Sequence, residues 1–309
     1  MKLATSTGDF KWYVPTVSDA VRCFRDTKFK NINLEQSAFL GDGDDEWKKA
    51  ADEWGNAAAE AGVTYVVSHA PCLHKPVIGD EETYRVNIRA LRRSIEICHL
   101  LGIERIVVHA CADKALSVEE FYRYNTKFYR DLLDFAEKHG VMLLTENWDN
   151  AATHFSTGRE LRDFIDHMDH PLLGACWDTA HGNIDRVARG IGQYENIVAL
   201  GDRLKGMHIS DNFGDCHHHS WPFAGIINFD SVMQGLIDVK YDGYFTFEAA
   251  YTLLHQNNLP YHRTAWEHNG QVVDRLLSPP LELKKKAVAL LYDTGKYLLE
   301  TYGCFEAED

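Results

Sequence analysis

Eight short runs of strand-forming residues recur along this 309-residue chain, separated by longer helical stretches. They read KLATST (2–7), NINLE (31–35), TYVVSH (64–69), RIVVHA (105–110), VMLLTEN (141–147), LLGACWD (172–178), LKGMHIS (204–210) and YFTFE (244–248). Most are nearly continuous apolar segments, the pattern of strands buried on both faces of a parallel sheet. The stretches between them are amphipathic. In one, Tyr84, Ile88, Leu91, Ile95, Cys98 and Leu101 share a helical face, and Gly102 marks its stop. Gly140 ends another after Phe128, Leu132, Phe135 and Ala136, and residues 281–303 read as a last long helix. Strands alternating with helices, with no linker or compositional break, predict one α/β domain over 1–309, a (β/α)₈ TIM barrel. The alternative, a doubly wound open sheet, lacks its nucleotide-binding signatures, since no GxGxxG follows a strand and no GxxxxGK[ST] occurs. The connection 252–280, rich in Asn, His and Pro, is long enough to predict a lid or a partner surface.

The residues ending these runs carry the functional signal. Strands two to eight finish at or beside Glu35, His69, His109, Glu146, Asp178, His208 and Glu248, one βα unit of 30 to 40 residues apart. In a barrel the C-terminal strand ends face a common mouth, where active sites are built. One polar residue ending a strand is ordinarily a cap or a solvated loop residue, and Glu35 alone could be that. Four or more in phase are different, because clustered buried charges cost free energy unless something neutralises them. Glu146, Asp178, His208 and Glu248 therefore read as a metal site. Three carboxylates and one imidazole form a hard, oxygen-rich donor set that suits one divalent ion, Mn²⁺ first, with Mg²⁺, Co²⁺ or Zn²⁺ acceptable.

Charge bounds the partners. With 46 acidic against 32 basic residues the net charge is −14, which disfavours a phosphate-backbone binder. The loop LGDGDDEW (40–47) at the expected rim holds four acids and no base. No nucleic acid partner is expected on this ground, and a small neutral ligand is. The seven cysteines form no CxxC pair, so neither a disulfide framework nor a zinc ribbon is indicated. The first residues contain no apolar leader and no segment approaches a membrane span, so a cytoplasmic protein without membrane contact is expected. The sequence leaves a homo-oligomer open.

At these residues the chain resembles the xylose-isomerase-like barrels, a superfamily of sugar isomerases and epimerases, inosose dehydratase and apurinic-site endonucleases. The resemblance runs from the first strand to at least Tyr251 and is most specific in LLTENW (143–148), CWDTAHGN (176–183), LKGMHISDN (204–212) and YDGYFTFEAAY (241–251). DCHHHSWPFAGIINF (215–229) resembles the family's D-x-H…PG-x-G-x-I-x-F loop, with WPFAG in place of PG-x-G. The sugar-epimerase branch implies Glu146, Asp178, His208 and Glu248 as ligands of one metal, with His181 contacting a substrate oxygen. The endonuclease branch implies a larger set, and this chain offers His69, His109, His181, Asp215 and His217 at its positions.

The resemblance implies proton abstraction beside a carbonyl of a sugar or sugar derivative, with Glu146 and Glu248 as the acid/base pair. The lack of a Gly-rich phosphate grip or paired Arg at the mouth favours a mostly unphosphorylated one. His181 would polarise a substrate oxygen, and Asp178 with His208 would anchor the ion. His69, His109, His217 and Trp148 are the candidates for substrate contact. Which of His217, His218 and His219 faces the site is open. Trp12 and Trp177 could wall a sugar face, although packing is the commoner role of aromatics. The same apparatus supports β-elimination on an oxo-sugar or inosose, so a lyase or dehydratase is an alternative. A metal-dependent phosphodiesterase of the endonuclease type is a second alternative. A non-catalytic barrel ranks last, since it predicts a broken ligand set and all four core ligands are present.

Overall fold

The computed structural model describes residues 1–307 except 42, 74–77, 112, 114, 149–153 and 259–261. Asp42 of the acidic loop and part of the 252–280 connection therefore lie outside the described residues. The eight strands are β1 (Leu3–Ser6), β2 (Asn31–Glu35), β3 (Thr64–His69), β4 (Arg105–Val107), β5 (Met142–Glu146), β6 (Leu173–Asp178), β7 (Leu204–His208) and β8 (Phe245–Phe247). Each pairs in parallel with the next from β1 to β7, and β8 returns to pair with β1. The ring closes just beyond β7. Ile209 bridges Phe247, its N–H donates to Thr246 O (2.8 Å), and Glu248 N–H donates to Ile209 O (3.1 Å). The predicted (β/α)₈ TIM barrel is what the chain forms.

Nine α-helices among the described residues surround the barrel: α1 (Val17–Arg22), α2 (Asp45–Ala61), α3 (Glu81–Leu100), α4 (Val118–His139), α5 (Gly158–Met168), α6 (Thr179–Arg189), α7 (Gln193–Leu200), α8 (Phe229–Asp238) and α9 (Leu281–Thr301). Their ends follow local chemistry. Capping boxes, Ser117 with Glu120 and Thr157 with Glu160, start α4 and α5. The connection after β8 is not bare loop, for it carries the exposed antiparallel pair β9 (Trp266–His268) and β10 (Gln271–Val273). Late in α9, Gly295 lets the helix lie against the barrel. A Cβ there would come within 2.6–2.8 Å of Phe247 and Leu3 atoms. Gly295→Ala should cost about 1–3 kcal/mol in denaturant unfolding by overpacking; an unchanged midpoint would mean that α9 can slide.

The acidic loop is tied to the helices rather than free at the rim. The buried Arg93 of α3 donates to Phe39 O (2.9 Å), Gly41 O (2.6 Å) and Gly43 O (3.0 Å), and pairs with Asp44 Oδ1 (3.1 Å). Asp45 and Glu46 occupy the first turn of α2, where the helix dipole favours acids. The described acids of 40–47 thus help build the helix start. Asp44 is paired by Arg93, while Asp45 and Glu46 stay exposed at that helix start.

A second buried charge sits under the mouth. Lys284, 1% exposed, donates to Ala250 O (3.0 Å) and Thr252 O (2.7 Å) and lies 3.7 Å from Asp9 Oδ1. It ties the segments following β1 and β8 to the start of α9.

Inside the barrel, Val67, Val107, Leu144 and Cys176 form a small apolar cluster apart from the main core. Gly206 joins this layer because a Cβ there would lie 2.7 Å from Leu144 Cδ1. With side chains alternating along a strand, the next inward positions are His69, His109, Glu146, Asp178 and His208. The site stands one pleat above an apolar plug.

Candidate metal centre

Asp178 and His208 are register partners on the adjacent strands β6 and β7. A register irregularity at Ala175/Cys176 precedes them, the kind of feature that re-aims side chains beside sites. His208 Nδ1 lies 3.1 Å from both Glu146 Oε1 and Glu248 Oε2. One donor atom from each of Glu146, Asp178, His208 and Glu248 falls within 4.8 Å of the others. Asp178 does two jobs. Its Oδ1 caps α6 by accepting from His181 N–H (2.7 Å), while Asp178 N–H donates to Asn147 Oδ1 (2.7 Å) and Asn147 Nδ2 donates back to Asp178 O (3.0 Å). Asn147 was not singled out from sequence, although it follows Glu146 directly in TENW.

The electrostatics are those of opposite charges buried together. Burial pushes the Glu146 carboxyl up, but the His208 and His109 imidazoles outweigh it and hold the group well below its usual range. Glu248 is likewise lowered, burial being overcome by His208 and His219. Asp178 is raised by burial and by its two carboxylate neighbours, beyond what His181 offsets. Burial lowers His208, yet Cys176, Glu146 and Glu248 bring it well above the ordinary imidazole value. Burial pushes the Cys176 thiol up to about 12. Glu146 Oε2, Asp178 Oδ2 and His181 Nδ1 are buried with no hydrogen-bond partner among the described residues. Such groups are costly when left alone, and their convergence fits a divalent cation.

The remaining histidines divide into groups. His69 Nδ1 donates to Ala70 O (2.7 Å), which turns Nε2 inward. His69 Nε2 and His109 Nε2 lie 3.1 Å apart, each 3.7 Å from Glu146 Oε2, too long for hydrogen bonds to it. His181 Nδ1 is 3.6 Å from Glu146 Oε1 and 3.9 Å from Asp178 Oδ1, and its ring lies 3.9 Å from that of His217. Trp148 packs against His109 (4.4 Å between centroids) and stacks on His181 (5.8 Å). Trp177, in contrast, is fully buried and donates to Gln193 Oε1 (2.8 Å), so it is a core residue. Trp12 is half-buried. Glu35 accepts from Ser6 Oγ (2.5 Å) and lies 3.6 Å from Lys11 Nζ, outside the four-residue group.

In the loop between β7 and α8, His217 and His219 face the mouth. Their ring nitrogens lie 2.7 Å apart, and His219 Nδ1 donates to Glu248 O (3.0 Å). His218 and Asp215 group elsewhere, with Cys216. The Asp215 and His217 pairing implied by resemblance is therefore split. Buried Asp211 holds the loop, accepting from Asn212, Phe223, Gly225 and Ile227 N–H groups (2.9–3.1 Å).

An eight-stranded parallel barrel with carboxylates and imidazoles gathered at its C-terminal strand ends defines a metal-site TIM-barrel class. The chain belongs to the xylose isomerase-like TIM barrel family, whose model matches residues 30–268. It is 27% identical over 165 residues to a probable endonuclease 4 of Shouchella clausii, covering 50% of this chain and 55% of that protein. It is also 27% identical over 156 residues to an L-ribulose 3-epimerase of Methylomonas sp., covering 50% and 51%. The chain thus spans about half the length of these curated relatives. Among solved structures it is similar in fold to a D-tagatose 3-epimerase-like protein (TM-score 0.71, 19% identity, 98% and 100% of the two chains). No described helix is long and apolar enough to cross a membrane.

Proposed function

We propose that this chain is a divalent-metal-dependent sugar isomerase or epimerase acting beside the carbonyl of an unphosphorylated sugar in the cytoplasm. The observation that carries the reading is the disposition of Glu146 and Glu248 about His208 Nδ1, each with one oxygen 3.1 Å away. Glu146 is 1% exposed and Glu248 17%, so the second opens toward the mouth while the first stays among the imidazoles. Glu146, Asp178, His208 and Glu248 would hold the ion, and manganese best matches that donor set. When bound, such an ion polarises a substrate carbonyl. One glutamate removes the proton from the adjoining carbon and the other returns one, giving isomerisation or epimerisation. His181 holds the substrate oxygen, and Trp148 with His69, His109 and His217 surrounds it. Loss of a β-hydroxyl after the same proton abstraction would make the enzyme a lyase.

The test is solvent-deuterium exchange at the carbon beside the carbonyl, followed by NMR over a panel of free ketoses and oxo-sugars with Mn²⁺. Exchange with at least one is expected, together with one Mn²⁺-class ion bound at the mouth. A second reading, a metal-dependent phosphodiesterase, is favoured by the His69, His109 and Glu146 cluster, which supplies donors beyond one ion's needs. Arg93 pairs with Asp44 of the acidic loop, and the similarity to a probable endonuclease 4 supports the same reading. Cleavage of abasic-site DNA, three ions at the mouth and no exchange would overturn the sugar reading.

A further inference from the structure

The segment Asp215–His219 presents donors on two sides. While His217 and His219 turn to the mouth, Asp215, Cys216 and His218 bring one donor atom each to within 4.8 Å of one another. Cys216 Sγ lies 3.3 Å from His218 Nε2 and 3.7 Å from Nδ1, and His218 Nδ1 lies 3.6 Å from Asp215 Oδ1. Bond lengths of about 2.3 Å to sulfur and about 2.0–2.1 Å to nitrogen and oxygen place tetrahedral donors roughly 3.3–3.6 Å apart. With His218 Nδ1 as the single nitrogen donor, the spacings are 3.7 Å to sulfur and 3.6 Å to oxygen, within about 0.2 Å of that range. The cluster is reachable, with Asp215 67% exposed. His218 also borders a cavity of about 340 Å³ lined by Ser220, Tyr251, Leu254, His262 and Arg263. The excursion that carries it is pinned at its base, where Asp211 and Ser220 exchange backbone hydrogen bonds (2.8 and 3.2 Å).

We propose that Asp215, Cys216 and His218 form a second cation site, separate from the barrel mouth and specific for a thiophilic ion of the Zn²⁺ class. Sulfur, nitrogen and oxygen make a softer donor set than the three carboxylates and one imidazole of the mouth, so the two sites select different metals. Three protein donors leave a fourth position for water. Bound there, the ion clips the outer side of the loop segment whose inner side carries His217 and His219, and so fixes those two rings. This inference does not depend on which reaction the mouth performs.

The full-length protein, stripped of metal, is titrated with Co²⁺. A thiolate-to-cobalt absorption band in the near ultraviolet is expected in the unmodified chain and in Glu248→Gln, and its loss in Cys216→Ser. Zn²⁺ content after dialysis should fall by one equivalent per chain in Cys216→Ser and in His218→Ala. Zn²⁺ should also slow alkylation of Cys216, read by peptide mass, about tenfold or more, and His218→Ala should remove that protection. No band in the unmodified chain, or a band that survives Cys216→Ser and so belongs to a thiol at the mouth, Cys72 or Cys176, would overturn the proposal. So would alkylation of Cys216 at the same rate with and without Zn²⁺. Counting mouth ions in Cys216→Ser keeps this test separate from that of the proposed function.

Discussion

Replacing Glu146 or Glu248 by Gln is expected to lower solvent-deuterium exchange by about 10³-fold or more, the scale of a lost general base. The amide keeps the shape and removes the charge, so metal content must be measured beside the exchange rate to separate proton transfer from metal loss. Bound metal should fall only in part, because three of the four donors remain. The two variants should nevertheless differ. Glu146 lies within 3.1–3.7 Å of nitrogens on His69, His109, His181 and His208. Glu248 is held chiefly by His208 and is more open. Glu146→Gln should therefore bind less metal and unfold at lower denaturant than Glu248→Gln. Elemental analysis of both proteins, read beside their exchange rates, checks this. Full activity in either variant would remove that glutamate from the acid/base pair.

The largest stability effect is expected at the Asp9 and Lys284 pair. Burial pushes the Asp9 carboxyl up and the Lys284 ammonium down, and each partner opposes the other's shift. Removing one member leaves an uncompensated buried charge. Asp9→Asn or Lys284→Met alone should cost about 3–5 kcal/mol, whereas the double replacement Asp9→Leu, Lys284→Met should recover most of that loss. Urea unfolding of the three variants measures it. Additive losses in the double variant would show that the two residues act independently. Because Lys284 holds the carbonyls of Ala250 and Thr252, Lys284→Met should also loosen the chain just after Glu248.

Much of the fold was legible because strands covered on both faces must be apolar, and these were. The mouth was legible for a related reason: a charge at the end of an apolar run has little to gain from packing. What stayed hidden depends on contacts across the sequence. Lys284 begins the run KKK and reads as part of a solvated face, yet it is buried. Arg93 reads as one arginine of an exposed helix face, although it clasps a loop some 50 residues away. The split between Asp215 and His217 was invisible because an x-H spacing of two puts both on one face only in extended chain. Here Gly214 takes a left-handed turn (φ +82°) and Cys216 N–H donates to Asp215 Oδ1 (2.8 Å). Asp215 is left 67% exposed while His217 packs on His181.

The apolar plug beneath the mouth has a consequence for how such a chain can change. Each of Val67, Leu144 and Cys176 shares a strand face with a charged or imidazole residue two positions on. A strand that slipped by one residue would lose plug and donor together. Errors of assembly that spoil the chemistry are thereby made unstable as well, and discarded with the misfolded chain. The loops above carry no such double duty. New substrates can be tried there while the donors below stay in register.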